Sequence, residues 1–123
     1  MKTIAALLSV TCMLVSSSCQ REQPLPVSAA TKPDTYYAVL LNNGSVYFGR
    51  LEGLGSAYPV LRDVYYVQSN VNQETKAVTN VLVKRGKEWH APDRMIVSEK
   101  AIVFVEPVGP DSKVAQLIAE SKR

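Results

Sequence analysis

The sequence predicts a mainly β domain: a small antiparallel barrel or curled sheet of five or six strands, followed by a short C-terminal helix. Short runs rich in aliphatic and aromatic residues recur from Thr35 onward, turn residues separate them, and one apolar helical stripe occurs near the C-terminus. Because the runs are short and follow one another closely, local hairpins are the connections that fit between them.

The predicted strands follow the order of the chain. The first, Tyr36 to Leu41, ends at the Asn-Asn-Gly turn 42–44, and Asn-Gly is a strong hairpin signal because both residues tolerate positive φ. The second, 45–51, contains Gly49, and a glycine within a strand marks a bulge or bend. Later strands are predicted at 59–68, 77–84, 95–97 and 101–107, with a polar turn at 69–76.

The C-terminal helix is predicted to begin after two prolines, Pro107 and Pro110, which end the sheet. Asp111 or Ser112 can cap its first turn, since both side chains accept hydrogen bonds from free backbone N–H groups. One apolar stripe then follows at helical spacing: Val114, Leu117 and Ile118. We expect this stripe to pack on a sheet face or a barrel end.

The composition excludes several classes of protein. With 123 residues, 46% of them hydrophobic and 20% charged, the chain suits one globular domain. A net charge of +3 without a basic block does not demand nucleic acid, and no nucleic-acid partner is expected. One histidine (His90) and two cysteines (Cys12 and Cys19) exclude a multi-ligand zinc site and a disulfide framework. We therefore expect no metal and no cofactor.

No catalytic set is recognisable in the sequence. The chain has no glycine-rich phosphate loop, no Gly-x-Ser-x-Gly turn and no carboxylate pair in a supporting context. We therefore expect no catalytic residues and no enzymatic activity.

The N-terminus reads as an export signal. Lys2 precedes the apolar stretch 4–15, which is too short to span a bilayer as a helix, and three serines (16–18) lead to Cys19. This pattern resembles a bacterial lipoprotein signal, although Ser16 stands where such signals usually carry leucine. The resemblance implies cleavage of 1–18 and attachment of acyl chains such as palmitate at Cys19. The alternative is ordinary secretion, with Cys19 incidental to the cut.

Residues 19–34 read as a tether, and 35–123 as the folded domain. The tether contains three prolines among small and polar residues and has no hydrophobic period. The whole exported chain is similar to small lipoproteins of bacterial envelopes. That resemblance implies a membrane-anchored protein facing the periplasm or the cell exterior, on the outer membrane of a bacterium that has two membranes.

The folded domain resembles the Sm-like small barrels, which are SH3-like in shape. The resemblance rests on the segment 39–44, the bend glycine Gly49 and the Arg-Gly pair 85–86. Gly55 and Pro59 stand where the RNA pocket of that family carries Asp and Asn. The resemblance therefore implies a barrel-like shape but not RNA binding.

The segment 88–94 holds the densest cluster of functional side chains. His90 can be interpreted as a base oriented by Asp93 or Glu88, with Trp89 as a platform for a ligand. The alternative is a solvated loop whose Trp89 covers the barrel mouth. A single histidine without a nucleophile nearby favours that alternative.

A positive patch precedes this segment at 84–87. It can contact lipid headgroups, anionic envelope polymers or the carboxylates of a partner, or it can be a solvated hairpin turn. The candidate ligand or partner surface consists of Arg85, Lys87, Trp89, His90, Asp93 and Arg94. Strand alternation also predicts that one tyrosine of each adjacent pair points inward.

These observations favour a non-enzymatic, lipid-anchored envelope protein that presents its strands and loops to another envelope component. Two alternatives remain: a small hydrolase or ligand site centred on His90, and an oligomeric ring of Sm-like barrels joined by strand-edge pairing. The sequence leaves the specific partner and the oligomeric state open.

Overall fold

The computed structural model describes residues 31–123. Six strands and one helix follow one another in these residues: β1 Tyr36–Leu41, β2 Val46–Glu52, β3 Val60–Val71, β4 Val78–Lys84, β5 Arg94–Ile96, β6 Ile102–Pro107 and α1 Lys113–Ser121. The strands form one antiparallel sheet in the order β4-β3-β2-β1-β6, with β5 paired to β3. The predicted mainly β fold with a C-terminal helix is confirmed, as a curled sheet that does not close.

The predicted signal peptide, Cys19 and most of the predicted tether lie outside the described residues. Within 31–123, no helix has the length and apolar character needed to cross a bilayer. The observed sheet begins at Tyr36, one residue after the predicted start of the folded domain.

The observed strand bounds differ most from the predicted ones in β3. This strand extends to Val71, beyond its predicted end at Gln68, and shortens the predicted polar turn. The extension occurs because Asn70 pairs with Thr79 and Val71 with Val78. The backbone hydrogen bonds of the β3–β4 hairpin therefore continue through polar positions that the sequence pattern assigns to a loop.

Two local features curl the sheet. The β2–β3 register shifts between Phe48 and Arg50, which confirms the predicted irregularity at Gly49. A Cβ atom there would lie 3.0 Å from the Arg62 carbonyl oxygen and 3.0 Å from Leu61 Cδ2, so only glycine allows the strands to approach this closely. In β3, Asp63 adopts a positive φ of 53°. Residues before Asp63 pair with β5 and residues after it pair with β4.

The main core lies on one face of the sheet. Its buried members are Tyr37, Val39, Leu51, Leu61, Val64 and Val97. Leu51 and Leu61 are directly opposed in the sheet. Their neighbours Arg50 and Arg62 therefore belong to the other face, which we call the outer face.

Helix α1 packs against the outer face. Tyr65 and Ile118 are buried outside the main core, and a 3.1 Å hydrogen bond joins Tyr65 Oη to Ser121 Oγ. Ser112 caps the helix, because its hydroxyl accepts from the backbone N–H of Ala115 at 3.1 Å. Of the two predicted caps, Ser112 is therefore the one observed. The predicted contact of the apolar stripe with a sheet face is confirmed at Ile118.

The predicted alternation of the paired tyrosines is also confirmed. Tyr37 belongs to the main core and Tyr36 to the outer face. In the second pair Tyr66 lies on the face of the main core, opposite Tyr47, and Tyr65 lies on the outer face, where it is buried beside α1. Tyr36 and Tyr65 meet edge to face on the outer side, with ring centroids 6.2 Å apart.

Candidate functional site

The structure separates the residues that the sequence grouped around His90. Trp89 is fully exposed, so the prediction that it covers a barrel mouth is wrong. His90 is also exposed. Among the described residues, no hydrogen bond joins it to Asp93 or Glu88. No contact within residues 31–123 therefore orients His90 as a base.

Glu88 has a different role from the one the sequence suggested. Its carboxylate accepts from the backbone N–H of Gly86 at 2.7 Å and from Arg85 Nε at 2.9 Å. The backbone N–H of Gly86, that of Glu88 itself and the Arg85 guanidinium lower the pKa of Glu88 to about 2. Glu88 therefore holds the 85–88 turn as a carboxylate and is a weak proton acceptor near neutral pH.

Three of the predicted surface residues do come together, in a cleft of about 350 Å³. Arg85, Asp93 and Arg94 line it, whereas Lys87, Trp89 and His90 do not. The cleft lies where β3 changes its partner from β5 to β4, beside Asp63. Five cationic side chains line it against two aspartates, and the cations are Arg50, Arg62, Lys84, Arg85 and Arg94.

Three of these cations form a row across the outer face. Arg50 on β2 is directly opposite Arg62 on β3, and Arg62 is directly opposite Arg94 on β5. Directly opposed residues of antiparallel strands carry their Cβ atoms about 4.5–5.5 Å apart on the same face. We call Arg50, Arg62 and Arg94 the arginine row. Like charges directly opposed in this way destabilise a sheet.

The members of the arginine row differ in their partners. Arg62 Nε lies 2.9 Å from Glu52 Oε1, and Arg94 Nη1 lies 3.7 Å from Asp93 Oδ2. Arg50 takes part in none of the ion pairs found within residues 31–123. Its Nε is buried and has no hydrogen-bond partner there. A buried N–H without an acceptor costs about 1–3 kcal/mol. Arg50 also lines the cleft, so it brings a positive charge that no carboxylate of the described residues pairs with.

The other two cations of the cleft already have partners. Lys84 Nζ lies 2.8 Å from Asp63 Oδ1. Arg85 binds Glu88, donates to Met95 Sδ at 3.0 Å and stacks over the Tyr47 ring at 5.8 Å. The positive charge left without a close carboxylate is therefore that of Arg50 and, in part, Arg94.

Asp63 joins the cleft to the C-terminal helix. Its carboxylate accepts from Tyr36 Oη and Lys84, and Lys122 Nζ lies 3.3 Å from Asp63 Oδ2 and 2.8 Å from Tyr36 Oη. Burial opposes ionisation of Asp63, but the hydrogen bonds from Lys84, Tyr36 and Lys122 together lower its pKa from 3.8 to about 2. Asp63 is therefore an anion committed to this network.

The cleft can hold an anion. Guanidinium groups donate in pairs to carboxylates and phosphates, and a partly buried site strengthens these charged hydrogen bonds. In the described part of the chain, no group of three or more His, Cys, Asp or Glu side chains is placed to bind a metal ion. The chemistry that the arrangement supports is anion binding.

Comparison with known proteins leaves the site to be interpreted from its own geometry. Neither a known protein family nor a curated protein matches the chain.

The arginine row contains two residues, Arg50 and Arg62, that the sequence pattern does not identify as functional. Each one alternates with a buried leucine, as an ordinary exposed strand residue does.

Proposed function

We propose that this chain is a lipid-anchored, exported envelope protein without enzymatic activity, and that it binds an anionic group of another envelope component in the arginine-lined cleft. The observation that carries the proposal is the arginine row, with the buried and unpartnered Nε of Arg50 at its end. An anion bound there supplies the negative charge that Arg50 lacks among the described residues.

Charge supports binding at one place and not over the whole surface. The net charge of +3 is too small to attract polyanions broadly. The cleft, by contrast, concentrates five cations against two aspartates. A concave site of one sign focuses the electrostatic field, which raises the local concentration of an oppositely charged ligand.

The membrane part of the proposal rests on the lipoprotein-like signal. Acyl chains on Cys19 would anchor the chain, since each buried CH₂ contributes about 0.8 kcal/mol to membrane binding. An extended proline-containing tether rises at most ~3.1 Å per residue, so the segment between Cys19 and β1 reaches roughly 50 Å. The cleft would therefore meet components of the envelope close to the anchoring leaflet, on the periplasmic or outer side.

Crosslinking in intact cells tests the proposal. We expect the wild-type chain, recovered after mild crosslinking, to carry an envelope component that Arg50→Met no longer recovers. Arg123→Met is the matched control, because it removes the same charge outside the cleft and should keep the component. Recovery of the chain alone at every crosslinker level, or equal recovery by Arg50→Met, would contradict binding through the cleft.

A ring of copies is a second candidate, and one observation favours it. Strands β4 and β6 end the sheet order and carry exposed apolar side chains, which are Val78, Val81, Val103 and Phe104. Open apolar edges can pair with another copy. Sedimentation at the monomer mass across micromolar concentrations would exclude the ring. The hydrolase centred on His90 has no comparable observation among residues 31–123.

A further inference from the structure

The direction of the arginine row restricts the shape of its ligand. The three guanidinium groups start from three adjacent strands, β2, β3 and β5. Neighbouring strands lie about 4.8 Å apart, so the row spans roughly 10 Å at its base. A planar carboxylate is satisfied by one guanidinium fork from one direction. Donors arriving from several strands suit an acceptor whose oxygens point in several directions.

The positive charge of the arginine row that no carboxylate neutralises also restricts the ligand. Arg62 has its own carboxylate at 2.9 Å, whereas Arg94 has one only at 3.7 Å and Arg50 has no ion-pair partner among the described residues. More than one positive charge, that of Arg50 and part of that of Arg94, therefore remains without a close anion. A carboxylate carries a single negative charge, but a phosphate monoester carries about −1.5 to −2 at neutral pH, on three strong acceptor oxygens.

We infer that the cleft binds a phosphoryl group, as a phosphate monoester or a diphosphate, in preference to a carboxylate. This inference rests on the proposed anion-binding function of the same cleft. The Arg50 guanidinium donates to one phosphoryl oxygen, and Arg94 donates to another. Arg62 contributes its positive field between them while it keeps its ion pair with Glu52.

The same phosphoryl chemistry has two sources in an envelope. One is the headgroup of a lipid in the anchoring leaflet, and the other is a phosphorylated soluble or polymeric compound. The cleft geometry recognises the phosphoryl group in both, so the experiment needs one arm for each source.

The test follows the Nε–H signal of Arg50 by ¹⁵N–¹H NMR in the full chain, purified in a neutral detergent. Inorganic phosphate, inorganic pyrophosphate and citrate are titrated at constant ionic strength, and citrate serves as a carboxylate probe of charge similar to that of pyrophosphate. We expect the Arg50 signal to shift saturably with pyrophosphate, and pyrophosphate to bind at least about tenfold more tightly than citrate. In the variants, binding is followed by the Nε–H signal of Arg94, which also lines the cleft. Arg50→Met should lose this binding, whereas Arg123→Met should keep it.

Different outcomes separate the inference from the function on which it rests. Equal or tighter binding of citrate would overturn the phosphoryl preference and leave an anion-binding cleft. No response to any of the three anions would overturn both. Arg50→Lys retains the charge but not the planar guanidinium group, so wild-type affinity in that variant would overturn the role assigned to the guanidinium. Near-ultraviolet circular dichroism of the tyrosines verifies that each variant is folded.

The source is identified by adding lipid to the detergent micelles. Phosphatidic acid presents a phosphate monoester, phosphatidylglycerol a diester, and phosphatidylcholine a zwitterion. A shift of the Arg50 signal with phosphatidic acid alone among the three supports a lipid monoester as the ligand. A shift with pyrophosphate but with none of the lipids supports a soluble or polymeric phosphoryl compound. A shift of equal size with phosphatidylcholine would overturn the inference, because that lipid carries no net charge.

Discussion

Arg50 is a residue at which the local rules of sheet stability are broken. It faces another arginine directly across the β2–β3 pairing, and its buried Nε has no acceptor among the described residues. Both features are unfavourable for folding. Positions that violate stability rules in otherwise regular elements concentrate at functional sites, because selection there acts on binding.

Arg50→Met is therefore expected to stabilise the fold while it abolishes anion binding. Methionine keeps an unbranched apolar stem and removes both the repulsion and the unsatisfied N–H, so we expect a gain of about 0.5–1.5 kcal/mol in the free energy of unfolding. Urea denaturation at low salt measures it. Arg62→Met is the control: it also relieves repulsion but loses the exposed ion pair with Glu52, and should change stability by less than about 0.5 kcal/mol. A loss of stability in Arg50→Met would instead make the row structural.

The stability of the fold should fall in acid because of Asp63. Its pKa is about 2 in the folded chain, below its ordinary value of 3.8, so the carboxylate stabilises the fold fully above about pH 5. This contribution is lost as the pH falls through the folded-state pKa. After allowance for partial solvent screening, we expect a loss of about 1–2 kcal/mol between about pH 5 and pH 2.

Asp63→Asn isolates this contribution, because asparagine tolerates the positive φ of 53° at this position. The variant should be less stable than the wild type near neutral pH, and the difference should shrink toward pH 2 in urea denaturation. Asp111→Asn removes an exposed carboxylate outside the network and should follow the wild-type profile. An Asp63→Asn profile parallel to the wild type would show that the ion pairs with Lys84 and Lys122 contribute nothing to stability.

At the scale of elements, the stability of helix α1 depends on its N-terminal cap. Helix α1 covers nine residues, and so short a helix is marginal without tertiary contacts and capping. Ser112→Ala removes the side-chain acceptor for the Ala115 N–H, and we expect a loss of about 1 kcal/mol. Ser98→Ala is the matched control, since Ser98 precedes a 3₁₀ turn without making a side-chain cap bond. Thermal unfolding of the two variants distinguishes them, and equal losses would contradict the capping role.

The β2–β3 pairing depends on the missing side chain of Gly49. A methyl group there would lie 3.0 Å from the Arg62 carbonyl oxygen, which is backbone and cannot move away alone. We expect Gly49→Ala to cost about 1–3 kcal/mol and to weaken anion binding, because it displaces Arg62 from Arg50. Gly109→Ala, where nothing lies within 4 Å of the added Cβ, should be nearly neutral. If Gly49→Ala left both stability and binding unchanged, the close approach of β2 and β3 would not position the row.

Elements set by local signals were predictable, and those set by pairing were not. The turn 42–44 ends β1 through its own hydrogen bond from Gly44 N to Leu41 O, at 2.9 Å, so the sequence predicts that strand to the residue. The end of β3 depends on residues of another strand. Ser69 and Asn80 look like loop residues, yet their side chains bond each other across the hairpin at 2.7 Å. Local propensity cannot contain that information.

At the scale of the whole molecule, the site exists only through the register of the sheet. Arg50, Arg62 and Arg94 are far apart in sequence, and the bulge at Gly49 and the turn at Asp63 decide which residues they oppose. A shift of one residue would send each side chain to the opposite face. Arg85, Asp93 and Arg94 are predictable from the density of functional side chains in one segment, but Trp89 and His90 of the same segment lie outside the cleft.

Where the cleft acts depends on Cys19. If the N-terminus is a lipoprotein signal, wild-type chains recovered from the membrane fraction should begin at Cys19 and have an intact mass that includes acyl chains. Cys19→Ala removes the sulfur that would accept the lipid, so this variant should show no acyl mass and should leave the membrane fraction if it is cleaved. Cys12→Ala is the matched control, because Cys12 lies within the predicted signal and its loss should leave lipid attachment intact.

Wild-type chains found in the soluble fraction with residues 1–18 attached would contradict anchoring and export. The cleft would then bind its anion inside the cell, and the phosphoryl probes would still report its chemistry.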